Sequence, residues 1–159
     1  MKLKLDFLST KTNNMAPVKG RALIAEPILP DVIFSRSVIF LVDDDKDDHL
    51  GFILNKPLGV NLGSVMPEFE NYEFELFLGG PVSTESIHFF HEYGNLIHDS
   101  KHVKDNIYWG GNIQNVIEML KADILDPQKI RFFLGYSGWS PGQLKDELKK
   151  DSWLVADVP

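Results

Sequence analysis

Gly135-Tyr136-Ser137-Gly138-Trp139-Ser140-Pro141-Gly142-Gln143-Leu144 joins an apolar run with strand character, Lys129–Tyr136, to a helix-like segment, Pro141–Lys150. Its helical end reads as a capping box. Ser140 stands at the N-cap, Pro141 at the first helical position where no N–H is needed, and Gln143 at the third. Trp139 and Leu144 flank that cap at the positions of a hydrophobic staple. Gly138 and Gly142 are left over, and each suggests a close backbone approach or an unusual dihedral. Strand-to-helix turns of this kind can leave backbone N–H groups facing a ligand.

Upstream, Arg21–Glu26, Ser37–Val42, Leu50–Leu54, Glu75–Leu78, Ile87–His91 and Asn106–Trp109 are short apolar runs bounded by turn residues, as strands are. Trp153–Ala156 is another. Ile113, Val116, Ile117 and Leu120 recur with the spacing of a buried helical stripe. Gly111 or Asn112 caps that helix and Asp126-Pro127 ends the segment after it. A helical turn fits Leu62–Met66. Strands crowd the first half without regular helical crossovers, so the expected class is α+β. Ser9–Pro17 is polar and turn-rich, giving an arm over residues 1–17 and a single domain over 18–159.

Composition narrows the function. With 159 residues, 43% hydrophobic and 25% charged, the chain suits one soluble domain burying roughly 70% of its unfolded surface. No apolar run nears the ~20 residues of a membrane span, and no secretory leader is visible. Cytoplasm is therefore the expected compartment. Cysteine is absent, which removes disulfides and thiolate chemistry. Sixteen basic residues face 23 acidic ones, a net charge of −7. Direct nucleic-acid binding is disfavoured, since it draws on Lys and Arg against phosphate.

Three strand exits carry the candidate binding residues: Asn55 and Pro57; Gly79, Gly80 and Pro81; and Gly138 with Trp139 and Gln143. Gathered at one end of the sheet, they would line a shared pocket for a protein or small-molecule partner. Arg36, just ahead of the Ser37 run, is a candidate anion contact, set against a solvated or salt-bridged arginine. The alternative from another class is a hydrolase or transferase using Ser137, or the pair His88 and His91. A G-x-S-x-G elbow requires glycine at 139, where Trp139 stands, and all five histidines precede Ser137. On a strand, His88 and His91 point to opposite faces, so no metal site is expected. Asp43–Asp48 opens like a calcium loop, but Asp48 and Leu54 stand where glycine and a bidentate glutamate belong. A solvated hairpin loop is the simpler account. No cofactor is called for.

Lys19–Pro27, Phe34-Ser35-Arg36-Ser37-Val38, Gly51–Pro57, Gly79-Gly80-Pro81-Val82 and Gly135–Leu144, in that order, resemble the AlgH/YqgE family of bacterial proteins. The resemblance runs from about Gly20 to the end of the chain. It implies an α+β fold whose bifurcated β-sheet curls into a pseudo-barrel with flanking helices. It also implies a link to transcriptional regulation by label alone; no activity is established and no catalytic residue carries over. Two departures stand out. Family members continue for about one more strand and a helix, so this chain reads as truncated after Pro159. Asn112 replaces an aspartate common at that helix opening, which preserves capping.

Overall fold

The computed structural model describes residues 15–27, 34–44 and 48–158. Most of the expected N-terminal arm, and Asp45-Lys46-Asp47 of the acidic loop, lie outside them. The described strands are β1 (Arg21–Ala25), β2 (Val38–Asp43), β3 (His49–Ile53), β4 (Pro57–Asn61), β5 (Glu75–Leu78), β6 (Val82–His91), β7 (Lys101–Lys104), β8 (Ile107–Trp109), β9 (Ile130–Trp139) and β10 (Trp153–Asp157). Helices α1 (Ile113–Lys121) and α2 (Gln143–Lys149) accompany them. Leu62–Ser64 forms the expected helical turn, as 3-10 helix. The sheet runs β10-β1-β2-β3-β9-β6-β8-β7, with β5 on β9 and β4 on β5.

β9 makes the sheet fork. One of its edges pairs with β6, from Tyr136 opposite Val82 to Ile130 opposite His91. The other edge is divided. Phe132–Leu134 pair in parallel with Leu76–Leu78, while Ser137–Trp139 pair antiparallel with Gly51–His49. Gly79 sits at the division. Its N–H donates to the Leu134 carbonyl (2.8 Å), and its carbonyl accepts from Ile53 N–H (2.9 Å) and Ser137 Oγ (3.0 Å). A Cβ on Gly79 would lie 2.3 Å from the Gly135 oxygen, and one on Gly80 2.2 Å from the Tyr136 carbonyl carbon. Only glycines allow two backbones to touch in this way.

Gly135 adopts φ +69°, which costs an L-residue with a side chain about 1–2 kcal/mol. The kink changes which face follows. Phe133 and Tyr136 contribute to one core although they are three residues apart, with Leu134 packed in another. A regular strand would send positions 133 and 136 to opposite faces.

The sheet curls until its ends meet. The Lys104 side chain of β7 packs over Gly20 ahead of β1, and its ammonium donates to the Val158 carbonyl after β10. Ala22, Phe40, Phe52, Phe90, Val103 and Phe133 thereby face one another inside the pseudo-barrel. Outside it, Val116, Ile117 and Leu120 of α1 cover Phe132 and Leu76. Leu144 of α2 covers Leu23, Ile39 and Ile53 on the far wing. Each fully buried side chain of this size contributes roughly 1.5–3 kcal/mol. Asn112 caps α1, its side-chain oxygen accepting from Gln114 and Asn115 N–H.

Two expectations need correction. β9 does not end at Tyr136: pairing with β3 carries it through Trp139, so Ser137 and Gly138 are strand residues. Ser140 is therefore held too early to cap α2. Gly142, at φ +83°, takes the N-cap place without a side-chain bond. Half of the capping box survives, with Gln143 Oε1 accepting from Ser140 N–H (3.1 Å). Trp139 and Leu144 share one buried cluster, as the staple requires. β4 and β7 carried no clear strand pattern; β4 is exposed throughout and β7 buries only Val103.

Glu147 of α2 ties that helix to two strands. Its Oε1 accepts from the indole N–H of Trp139 (2.9 Å) and of Trp153 (2.8 Å), and its Oε2 from Gln143 Nε2 (3.0 Å). Both indoles are nearly fully buried, at 4% and 3% exposure. Glu147→Ala strands two buried donors and should destabilise the fold by about 2–6 kcal/mol, since each stranded group costs about 1–3. Urea unfolding followed by tryptophan fluorescence measures this, and Glu147→Gln, which keeps an acceptor, should lose less. Gly80→Ala should yield no folded protein by circular dichroism, because the new methyl overlaps backbone. Gly138→Ala, whose methyl would meet the Tyr136 ring at 3.3 Å and the His49 carbonyl oxygen at 3.9 Å, should fold.

Candidate functional site

The three strand exits do not form one pocket. β3 and β9 are antiparallel, with Leu50 opposite Gly138. Asn55 lies past the other end of β3, after the bend at Leu54. Its side chain is engaged in the fold: Oδ1 accepts from Val38 N–H (3.0 Å) and Nδ2 donates to the Arg36 carbonyl (2.9 Å). Lys56 Nζ adds a bond to the Ser35 carbonyl (3.0 Å). Together they staple the Phe34–Arg36 turn, in which Arg36 is exposed with φ +57°. Pro57 opens the exposed strand β4, Pro81 is exposed, and Gly79 and Gly80 form the fork. Gly138 and Trp139 instead line a cleft of about 460 Å³ with Asp43, His49 and Tyr136 at the other end of β3.

The residues suggesting catalysis are held by internal bonds. Ser137 is fully buried and its hydroxyl donates to the Gly79 carbonyl. His91, also fully buried, accepts at Nδ1 from Tyr93 N–H (3.2 Å). Its proton therefore sits on Nε2, which lies 2.8 Å from Ser100 Oγ and 3.2 Å from the Gly110 carbonyl. Ser100 in turn donates to the Ile97 carbonyl (2.7 Å). His88 points to the opposite face, between Phe52 and Tyr136 at 5.6 Å from each ring, with Nε2 buried and without a hydrogen-bond partner among the described residues. Among the described residues no three His, Cys, Asp or Glu side chains are grouped to hold a metal.

A larger cleft, about 590 Å³, opens where the β7–β8 hairpin and the start of β9 face the inner surface of β2. Phe40 and Phe90 form its apolar floor, edge to face at 5.9 Å. Arg131 is among its lining residues. The guanidinium donates through Nη2 to the Leu54 carbonyl (2.9 Å) and lies 3.9 Å above the Phe77 ring. Burial pushes its pKa below the ordinary value, opposed by the Glu75 carboxylate; an arginine still keeps its charge at neutral pH. Lys104 and Lys129 stand in the same walls, facing Glu92 and Asp105. Glu92 is engaged by Asn106 Nδ2 (3.0 Å). None of this lining was among the sequence candidates. The missed signal is an arginine inside the apolar strand Ile130-Arg131-Phe132-Phe133, since charged residues rarely enter such runs without a purpose.

The forked sheet, with helices on its outer faces and clefts beside its inner core, defines an α+β pseudo-barrel protein. The family model described as DUF179, AlgH-like, matches residues 22–159. A UPF0301 protein of Cytophaga hutchinsonii is 42% identical over 141 residues, spanning 88% of this chain and 78% of that one. Its counterpart in Parabacteroides distasonis is 40% identical over 152 residues, 92% of this chain and 75% of that one. The solution structure of AlgH from Pseudomonas aeruginosa superposes with a TM-score of 0.72 at 26% identity, covering 93% of this chain and 82% of the other. A crystal structure of protein DIP2367 from Corynebacterium diphtheriae shares the fold, with a TM-score of 0.77 at 24% identity over 91% and 78% of the two chains. The chain belongs to the AlgH-like family, bacterial proteins of uncharacterised activity. No described helix is long and apolar enough to cross a membrane.

The two strand histidines make stability depend on pH. Burial lowers the pKa of His88 and of His91, the Gly110 hydrogen bond opposing it in the second. In the unfolded chain both titrate near about 6.5. Their contribution is full above that value and is lost as pH falls toward the lower folded values, by at most about 1.4 kcal/mol per pH unit for each. Urea midpoints should fall between pH 7.5 and 5.5. His88→Phe should flatten that fall.

Proposed function

We propose that this protein works by binding and not by catalysis, in the cytoplasm, with a small molecule seated in the Arg131 cleft as its primary partner. One contrast carries the reading. Ser137 and His91 have their hydrogen-bonding capacity engaged internally, whereas the Arg131 side chain makes one hydrogen bond among the described residues and Arg131 lines a cleft. A cleft of about 590 Å³ falls within the usual range for small-molecule sites, roughly 300–1,000 Å³. The link to transcription implied by the family resemblance would run through a protein contact. A net charge of −7 opposes a direct approach to DNA.

A metabolite panel screened by thermal shift and by backbone amide NMR tests this reading. A ligand at a hundred times its Kd adds about 2.7 kcal/mol of stability. At this chain length the melting temperature should rise by about 5–10 °C, with amide shifts concentrated in residues 104–107 and 128–131. Turnover of ester, phosphate or nucleotide substrates, or saturable binding that spares these amides, overturns it.

A further inference from the structure

Resting on that reading, we propose that the Arg131 cleft recognises an amphipathic organic anion, its oxyanion on the guanidinium and its apolar body on Phe40 and Phe90. Arg131 is flanked in β9 by Ile130 and Phe132, both buried. Charge placed in such a strand is unfavourable unless a partner compensates it. Within the chain that compensation is incomplete: the ion pair found among the described residues is Arg21–Asp157, which does not include Arg131. Glu75 acts on Arg131 only through space.

What the chain does supply is orientation. The Leu54 carbonyl holds one N–H and the Phe77 ring holds one face of the guanidinium plane. The remaining N–H groups form a fixed fork, the geometry that pairs two donors with the two oxygens of a carboxylate or phosphate. The surroundings agree in sign. Lys104, Lys129 and Arg131 outnumber Glu92 and Asp105 in the lining, a local excess of positive charge in a chain whose total is −7. Lys104 and Lys129 are themselves oriented, one by the Val158 carbonyl and the other over the Tyr93 ring (5.9 Å). Glu92, bonded to Asn106, is drawn toward the hairpin. Ile107, half-buried, above the buried Phe40 and Phe90 gives an apolar surface that a bare inorganic anion would leave unused.

Titration of the full chain with phenylacetate, phenyl phosphate, phenylacetamide and inorganic phosphate, followed by amide NMR, decides the matter. One or both aromatic anions should bind at residues 104–107 and 128–131 at least tenfold more tightly than phenylacetamide, and more tightly than inorganic phosphate. The tighter of the two assigns the oxyanion as carboxylate or phosphate. Arg131→Gln should abolish this preference, leaving phenylacetamide unchanged, and Arg131→Lys should restore only part of it. A purely structural arginine would alter stability without altering that ratio. Equal binding of the amide and the anions, or an undiminished preference in Arg131→Gln, overturns the anion assignment while leaving a small-molecule site intact. Equal binding of inorganic phosphate overturns the apolar half. Failure of every compound in the metabolite panel to bind overturns the underlying reading itself. If Arg131→Gln does not fold, the ratios measured on the unaltered chain decide.

Discussion

Backbone-to-backbone contact between Gly79-Gly80 and Gly135–Ser137 is the constraint on which the molecule is organised. A side chain at 79 or 80 would overlap carbonyl groups of β9 at little more than 2 Å. With glycine there, β5 turns back into β6 directly beside the strand it has just paired with. β9 can then serve three partners: β6 along one edge, β5 and β3 in succession along the other. The left-handed Gly135 completes the arrangement by sending Tyr136 into the same inner core as Phe133. Without that face switch, the two wings of the sheet would not enclose a common interior.

Curling follows from the fork and determines where function can reside. The inner core is apolar and filled, with Phe52 stacked on Phe133 at 4.9 Å. Openings remain beside it. One is lined by Gly138 and Trp139; the other holds Arg131 between the hairpin, β9 and β2. The polar groups that chemistry would draw on elsewhere, Ser137 and His91, are buried within strands and bonded to neighbouring groups. A fold that confines these hydroxyl and imidazole groups in this way while an arginine lines a cleft is suited to recognition.

Much of the architecture was readable along the chain. The apolar runs at Ser37–Val42 and Leu50–Leu54 became a paired hairpin, and the stripe through Ile113, Val116, Ile117 and Leu120 became the face of α1, because burial on one side imposes those periods directly. β4 escaped because none of its residues is buried, so no period marks it. The capping box at Ser140 was read from local preferences. Long-range pairing of Trp139 with His49 overrode them, keeping the chain extended past the position where a helix could begin.

Residue order alone settled the class of the protein, the strand character of most segments, the opposite facing of His88 and His91, and the family resemblance. Each depends on neighbours a few positions apart or on an ordered set of turns. Which turns meet was decided only in three dimensions. Asn55 and Gly138 both follow apolar runs, yet Asn55 lies past one end of β3 while Gly138 pairs with Leu50 near the other. Arg131, the exception in a strand of isoleucine and phenylalanine, lines a cleft because the curl of the sheet brings Phe40, Lys104 and Val158 near it. Local pattern specifies which face of an element is apolar; only closure of the whole sheet determines which side chains share a space.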